Sequence, residues 1–310
     1  MSYEVRTYPE WSWSTSRAKI FKECKRQYYY HYYGSHNGWL DDATEEQRMA
    51  YRLKNLTNLY MIFGESLHFI AESSINQWRL LKDFPNRDDI VLSCRKNLND
   101  AFIASQSRSK WLNRPKKSIM LHEIYYNGKL PQKRTEAIKE RLEPCIDNLL
   151  ASKTIHDITQ VEDSSILEVE QLNTFNMLDD KLYVKMDLLY RNESGKFIIT
   201  DWKTGKPDED NKFQALFYVL YLKDQFPNLK IEDVVIRLEY LMFGECIEIE
   251  PTEEMLRWTK QEVVNSIEEM RLYVSDDNLN KPFHKDAFEP EPSKMACSGC
   301  NYRELCSDKI

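Results

Sequence analysis

The chain has 310 residues, 42% hydrophobic and 30% charged, enough apolar material to bury one large core or two modest ones. Its formal charge of -7 excludes a surface coated in cations while leaving room for local basic clusters. No apolar run approaches the roughly 20 residues needed to span a bilayer, and Met1–Glu10 lacks the basic and apolar stretches of a secretory signal, so a cytoplasmic protein is expected.

From Thr15 to about Leu150 the pattern is mostly helical, with helices expected near Ser16–Tyr30, Glu45–Leu81, Arg87–Ser105 and Gln132–Ser152, punctuated by Gly38, Pro85, Pro115 and Gly128. After Ser164 the period shortens. Ile166–Leu172, Leu182–Tyr190 and Lys196–Lys203 alternate or run apolar like strands, and Asn192–Gly195 suits a hairpin turn. A helix over Asp208–Phe226, strands over Asp233–Phe243 and Cys246–Glu250, and a helix over Thr252–Tyr273 complete the pattern. No internal repeat or low-complexity stretch divides it.

The strongest local chemistry is Asp187 followed by Asp201-Trp202-Lys203. The two aspartates fall near the ends of adjacent candidate strands joined by a short turn, where their carboxylates can converge. Two hard oxygen ligands suit Mg²⁺ or Mn²⁺, and a lysine two residues after the second lies on the same strand face, within reach of a phosphate. A D-x-K at a strand end is by itself commonly a surface ion pair. Here the apolar run Phe197–Thr200 before Asp201 and the break Thr204–Pro207 after it place the charges at the exposed end of a buried strand.

Asp187, Asp201-x-Lys203 and Gln214-x-x-x-Tyr218 on the next helix resemble the successive motifs of the RecB/AddB-like branch of PD-(D/E)XK nucleases. The resemblance extends upstream to His68 in Gly64–Glu72, where this branch has a helical histidine that completes the metal site. It implies a restriction-endonuclease-like fold of the α/β (mixed α+β) class: a central mixed sheet flanked by helices, with a large N-terminal helical region. It also implies that His68, Asp187, Asp201 and the Trp202 carbonyl hold Mg²⁺ or Mn²⁺, that Lys203 positions water, and that Gln214 and Tyr218 hold the strand. Glu72, one turn from His68, is a candidate to orient the imidazole or a solvated residue. Glu168 and Glu170 are read as solvent-facing. Where the family often has glycine three residues before the first aspartate, this chain has Val184.

Seven cysteines, an odd count, argue against a disulfide framework. Cys297-x-x-Cys300 and Cys306 place three thiols in a proline-flanked segment, a metal signature open to structural Zn²⁺. Cys24, in Ser12–Tyr30, supplies a fourth. That segment resembles the opening motif of iron–sulfur nucleases, in which one N-terminal and three C-terminal cysteines hold a [4Fe–4S] cluster, although Lys25 stands where proline often follows the first cysteine. Cys94, Cys145 and Cys246 are scattered, as packing residues are.

Arg108–Lys117 combines five cations with Trp111, a composition suited to phosphate neutralisation and base stacking as well as to a solvated loop. Lys25, Arg26 and the aromatic run Tyr28–Tyr33 are further candidates for contact with nucleic acid, though most of those tyrosines should pack against the core. No Ser-His-Asp spacing, P-loop or G-x-G-x-x-G occurs, so any ATP hydrolysis must come from a partner. The expected organisation is one compact unit: 1–35 with the first cluster cysteine, 36–160 helical with the histidine helix, 161–275 the nuclease core and 276–310 the cysteine segment. The expected activity is metal-dependent hydrolysis of DNA, single-stranded or with free ends, beside a helicase or in a defence or repair complex. A catalytically silent DNA-binding subunit and a zinc-stabilised nucleic-acid-binding protein are the rival readings.

Overall fold

A five-stranded mixed sheet with helices on both faces positions the carboxylates and lysine singled out in the sequence. The computed structural model describes residues 5–162 and 165–310; Ser164, where the period shortens, lies outside them. The helical region comprises α1 (Thr15–Glu23), α2 (Lys25–Tyr29, continued by a π turn over Tyr30–Gly34), α3 (Glu45–Lys54), α4 (Leu59–Leu81), α5 (Arg87–Ser105), α6 (Arg108–Asn113), α7 (His122–Asn127), α8 (Gln132–Leu150) and α9 (Lys153–Ile158). Then come β1 (Ile166–Val169), β2 (Leu172–Met177), β3 (Asp180–Lys185), β4 (Leu188–Arg191), β5 (Phe197–Lys203), α10 (Glu209–Gln225), β6 (Val234–Tyr240), β7 (Glu245–Ile249), α11 (Glu253–Arg271), β8 (Val274–Asp276), β9 (Lys281–Pro282) and α12 (Lys294–Gly299).

The sheet order is β1-β4-β5-β6-β7. Only β5 and β6 pair in parallel, because α10 crosses over between them; the other neighbours are antiparallel. Each face carries a hydrophobic core, which explains why β5 reads as an unbroken apolar run. Phe197, Ile199 and Leu189 join Val234, Ile236, Leu238 and the residues of α10 and α11 on one face. Ile198, Trp202, Leu188 and Tyr190 face α4, α5, α8 and α9 on the other. Strand alternation therefore puts Asp201 and Lys203 on the α10 face and Trp202 on the opposite one.

Several expected elements are split by particular residues. The helix expected over Glu45–Leu81 breaks at 55–58, where Asn58 caps α4 by accepting from the Met61 N–H. The helix expected over Ser16–Tyr30 breaks at Cys24, whose backbone is extended. The strand expected over Leu182–Tyr190 stops at Lys185 and restarts at Leu188, and that over Ile166–Leu172 is interrupted at Glu170, whose φ is +50°. Residues Leu172–Met177, unassigned in the sequence reading beyond Leu172, form with β3 a separate hairpin turning on Leu178 and Asp179, both at positive φ. No helix among the described residues is long and apolar enough to cross a membrane.

Both ends of the chain pack together. Tyr28 and Tyr33 share a core with Phe288, Tyr30 and Tyr302 stack at 5.7 Å, and the Arg26 side chain donates to the Phe288 carbonyl at 2.9 Å.

Candidate active site

Four elements converge on one cluster. α4 brings His68, the segment between β1 and β2 brings Glu170, the β3–β4 break brings Asp187, and β5 ends in Asp201 and Lys203. His68 Nδ1 donates to Glu170 Oε1 at 2.8 Å and lies 3.2 Å from Asp187 Oδ1. Lys185 Nζ holds the second Glu170 oxygen region at 2.6 Å. The backbone closes the same knot, since the Glu170 N–H donates to the Asp187 carbonyl at 3.0 Å and the Trp202 N–H to Asp187 Oδ2 at 2.7 Å.

Asp201 is buried at 2% exposure, and its Oδ2 meets Lys203 Nζ at 2.5 Å. Apart from that ammonium, Oδ2 has no hydrogen-bond partner among the described residues. Lys203 also donates to Gln214 Oε1 on α10 at 2.9 Å, so the lysine is fixed between strand and helix. Tyr218, one turn on, is 2% exposed beneath the carboxylates. Behind the strand, Trp202 Nε1 donates to the buried Glu239 at 2.7 Å, and Glu239 also accepts from the Thr154 N–H at 3.0 Å. This polar anchor fixes the rotation of β5.

The charges are strongly interdependent. Burial alone would lower the His68 imidazole, but the charge and hydrogen bond of Asp187, with Glu170, push it up to about 10. Asp187 moves the opposite way: burial opposes ionisation, and His68, Lys203 and the Trp202 N–H outweigh it and hold the carboxyl below its ordinary value. Asp201 is pushed up to about 6 by burial, and by the Asp187 charge against the counteracting Lys203.

A divalent cation fits here. The ligand atoms of His68, Glu170 and Asp187 all lie within 4.8 Å of one another, and hard oxygens with one imidazole suit Mg²⁺ or Mn²⁺. Asp201 lies outside that trio, with its open Oδ2 drawn to Lys203.

A family model described as the PD-(D/E)XK nuclease superfamily matches residues 12–307. The chain belongs to the PD-(D/E)XK nuclease superfamily. Members of this superfamily are generally nucleases and usually use Mg²⁺ or Mn²⁺. No curated protein matches the chain. Among solved structures it is similar to "Crystal structure of SSO0001", at 17% identity over 57% of this chain and 82% of that one, with a TM-score of 0.29, too loose a likeness to bear on function.

Within this PD-(D/E)XK chain the cluster differs from expectation at several residues. Glu170 is not solvent-facing: its positive φ breaks the strand alternation and turns its carboxylate onto His68. Glu168 is half-buried and accepts from Tyr221 and Asn173, both at 2.8 Å. The described hydrogen bonds of His68 go to Glu170 rather than to Glu72. Gln214 holds Lys203, and the burial of Tyr218 leaves it little surface to offer a strand. Val184, in the position where glycine was expected, is buried in the core of the β3 hairpin. Trp111 is fully buried against Tyr125, which removes it from base stacking. Lys25 and Arg26 are spent on Glu291 and on Asp286 and Phe288, respectively.

The four cysteines singled out in the sequence line one cavity with Tyr30, Pro290 and Tyr302. Burial, then the neighbouring Cys24, Cys306 and Cys297, push the Cys300 thiol up to about 11. Backbone N–H groups of Glu291 and Tyr302 approach Cys24 Sγ at 3.5 Å and Cys300 Sγ at 3.4 Å, the donors a thiolate-bound group needs. The cysteines are not among the described groups of three ligand atoms within 4.8 Å.

Proposed function

We propose that this chain hydrolyses phosphodiester bonds of DNA, single-stranded or with free ends, as a member of the RecB/AddB-like branch, with a [4Fe–4S] cluster on Cys24, Cys297, Cys300 and Cys306. The observation that carries the reading is the convergence of His68, Glu170 and Asp187 beside an Asp201–Lys203 pair. His68, Asp187, Asp201, the Trp202 carbonyl and Glu170 would hold the Mg²⁺ or Mn²⁺. When bound, the cation polarises the phosphate and acidifies water.

The rest falls to the side chains. Lys203 is a fixed positive charge, oriented by Gln214 and Asp201, that positions the attacking water and offsets charge building on the phosphate. Tyr218 is a buried support beneath the carboxylates, and burial together with the Asp201, Asp187 and Glu170 charges keeps its hydroxyl protonated. Glu239 holds Trp202, and through it the two flanking catalytic residues. The segments 1–35, 36–160, 161–275 and 276–310 act as one unit in this reading, in the cytoplasm and beside a helicase or other complex subunit.

The test is cleavage of linear and circular single-stranded DNA with Mg²⁺ or Mn²⁺ by the native protein and by Asp201→Ala. Metal-dependent cleavage abolished in the variant is expected, and cutting of the circle identifies endonuclease action. Binding without cleavage by either protein would replace this reading with that of a silent DNA-binding subunit.

A further inference from the structure

We propose that Arg17 and Lys54, which share the Tyr32 ring, form with the neighbouring Lys116 a second anion site that holds backbone phosphates of a nucleic-acid strand away from the scissile bond. The identity of the ligand rests on the nuclease reading; the site itself rests on the following geometry. The Arg17 guanidinium carbon stands 4.1 Å from the Tyr32 ring centroid, and Lys54 Nζ stands 5.4 Å from the same centroid. The His31 ring flanks Tyr32 at 4.7 Å. Arg17 comes from α1 and Lys54 ends α3, so distant parts of the chain bring two cations to one ring, and the charge of Lys116, which follows α6, acts on Lys54.

None of the three has a carboxylate partner among the described ion pairs, whereas nearby Lys25, Arg26 and Lys285 are paired with Glu291, Asp286 and Glu46. The Arg17 side chain donates to the Ser12 carbonyl at 2.5 Å, which neutralises no charge. In a chain of net charge -7, like charges gathered without a counter-ion are held at an electrostatic cost that an anion relieves. Burial first, and then the charges of Arg17 and Lys116, pull the Lys54 ammonium down to about 8. Lys54 is packed about by protein yet keeps exposed surface, and Lys116 is exposed, so a ligand can reach both.

Position favours a strand over a free anion. α1 is fastened to the β3 hairpin that leads into Asp187, with Trp13 pairing beside Leu182 and the Tyr183 N–H donating to the Trp13 carbonyl at 2.8 Å. It is also tied to the first turn of α10, the helix of Gln214, by Lys19–Asp210 at 3.1 Å. The cations on Tyr32 therefore belong to a wall continuous with the hairpin that leads into Asp187 and with the helix that carries Gln214.

The experiment measures binding of a labelled oligothymidylate by fluorescence anisotropy across a salt series, without divalent metal, for the native protein, Lys54→Ala, Lys116→Ala and Lys54→Arg. Each alanine variant should weaken binding and make the log K against log salt slope shallower by about 0.7, the value of one phosphate contact on a single strand. Lys54→Arg should restore it. Unchanged affinity and slope in both alanine variants would overturn the proposal even if the native protein cleaves DNA. A native protein that cleaves nothing yet shows the lysine-dependent slope would uphold this site while the nuclease reading fell. Inorganic phosphate binding that depends on the lysines, with an unaltered oligonucleotide slope, would also overturn it, by making the site one for a free anion.

Discussion

Glu170 sits at φ +50°, a conformation that residues with a side chain adopt at a cost, and its carboxylate is the reason the cluster closes on His68. Glu170→Gln keeps the shape and removes the charge, so Mn²⁺ affinity measured by calorimetry should fall about 10–100-fold. Glu170→Gly would relax the backbone and lose the metal equally, which separates the two contributions. His68 gives a pH signature. Its pKa in the metal-free fold, about 10, is above the ordinary 6.5, so the ion pairs with Asp187 and Glu170 stabilise fully below about 6.5 and are lost as pH rises through about 10. Thermal midpoints of metal-free protein should fall over that interval, and His68→Gln should flatten the decline. The same proton must leave when a cation takes Nδ1, so calorimetry in buffers of different ionisation enthalpy should register proton release near neutral pH.

At the scale of elements, β5 depends on what lies behind it. Trp202 points away from the site into the second core, and Glu239 on β6 satisfies both its indole and the Thr154 N–H. Glu239→Ala leaves two buried donors unmatched, which should cost about 1–3 kcal/mol for each one left dry, read as a lowered denaturant midpoint. The strand that feeds Asp201 was legible because it is covered on both faces and therefore apolar throughout. The order of His68, Asp187, Asp201, Lys203 and Gln214 was legible too, as residue types at motif spacing. What alternation could not reveal was Glu170: a rule of period two assumes an unbroken strand, and one residue at positive φ reverses the face. The split of the long N-terminal helix had a local signal in Asn58, a good cap that helical periodicity outweighed. Arg17 and Lys54 had none, because only packing brings them to Tyr32, while Lys116 had its place in the basic run Arg108–Lys117.

Across the whole molecule, the two ends of the chain form one wall. Tyr30 and Tyr302 stack, the Tyr30 hydroxyl donates to the Leu305 carbonyl at 2.9 Å, and the Tyr33 hydroxyl to Asn280 at 3.0 Å. If the four cysteines hold an iron–sulfur cluster, Cys24→Ala preparations should lose iron and visible absorption, and trypsin should cut after Lys294 or Arg303 faster than in the native protein. Stoichiometric zinc with no iron in the native protein would replace the cluster with a zinc site.

That wall also sets an order of events during synthesis. Residues 281–306 supply partners for α2 and its π turn, yet every member of the carboxylate cluster leaves the ribosome before them. α2 and its π turn must wait, their tyrosines uncovered, until residues 281–306 emerge. A nascent chain thus carries the whole carboxylate cluster before it has the partners that fix α2, and a product stalled ahead of residue 281 would lack those partners altogether.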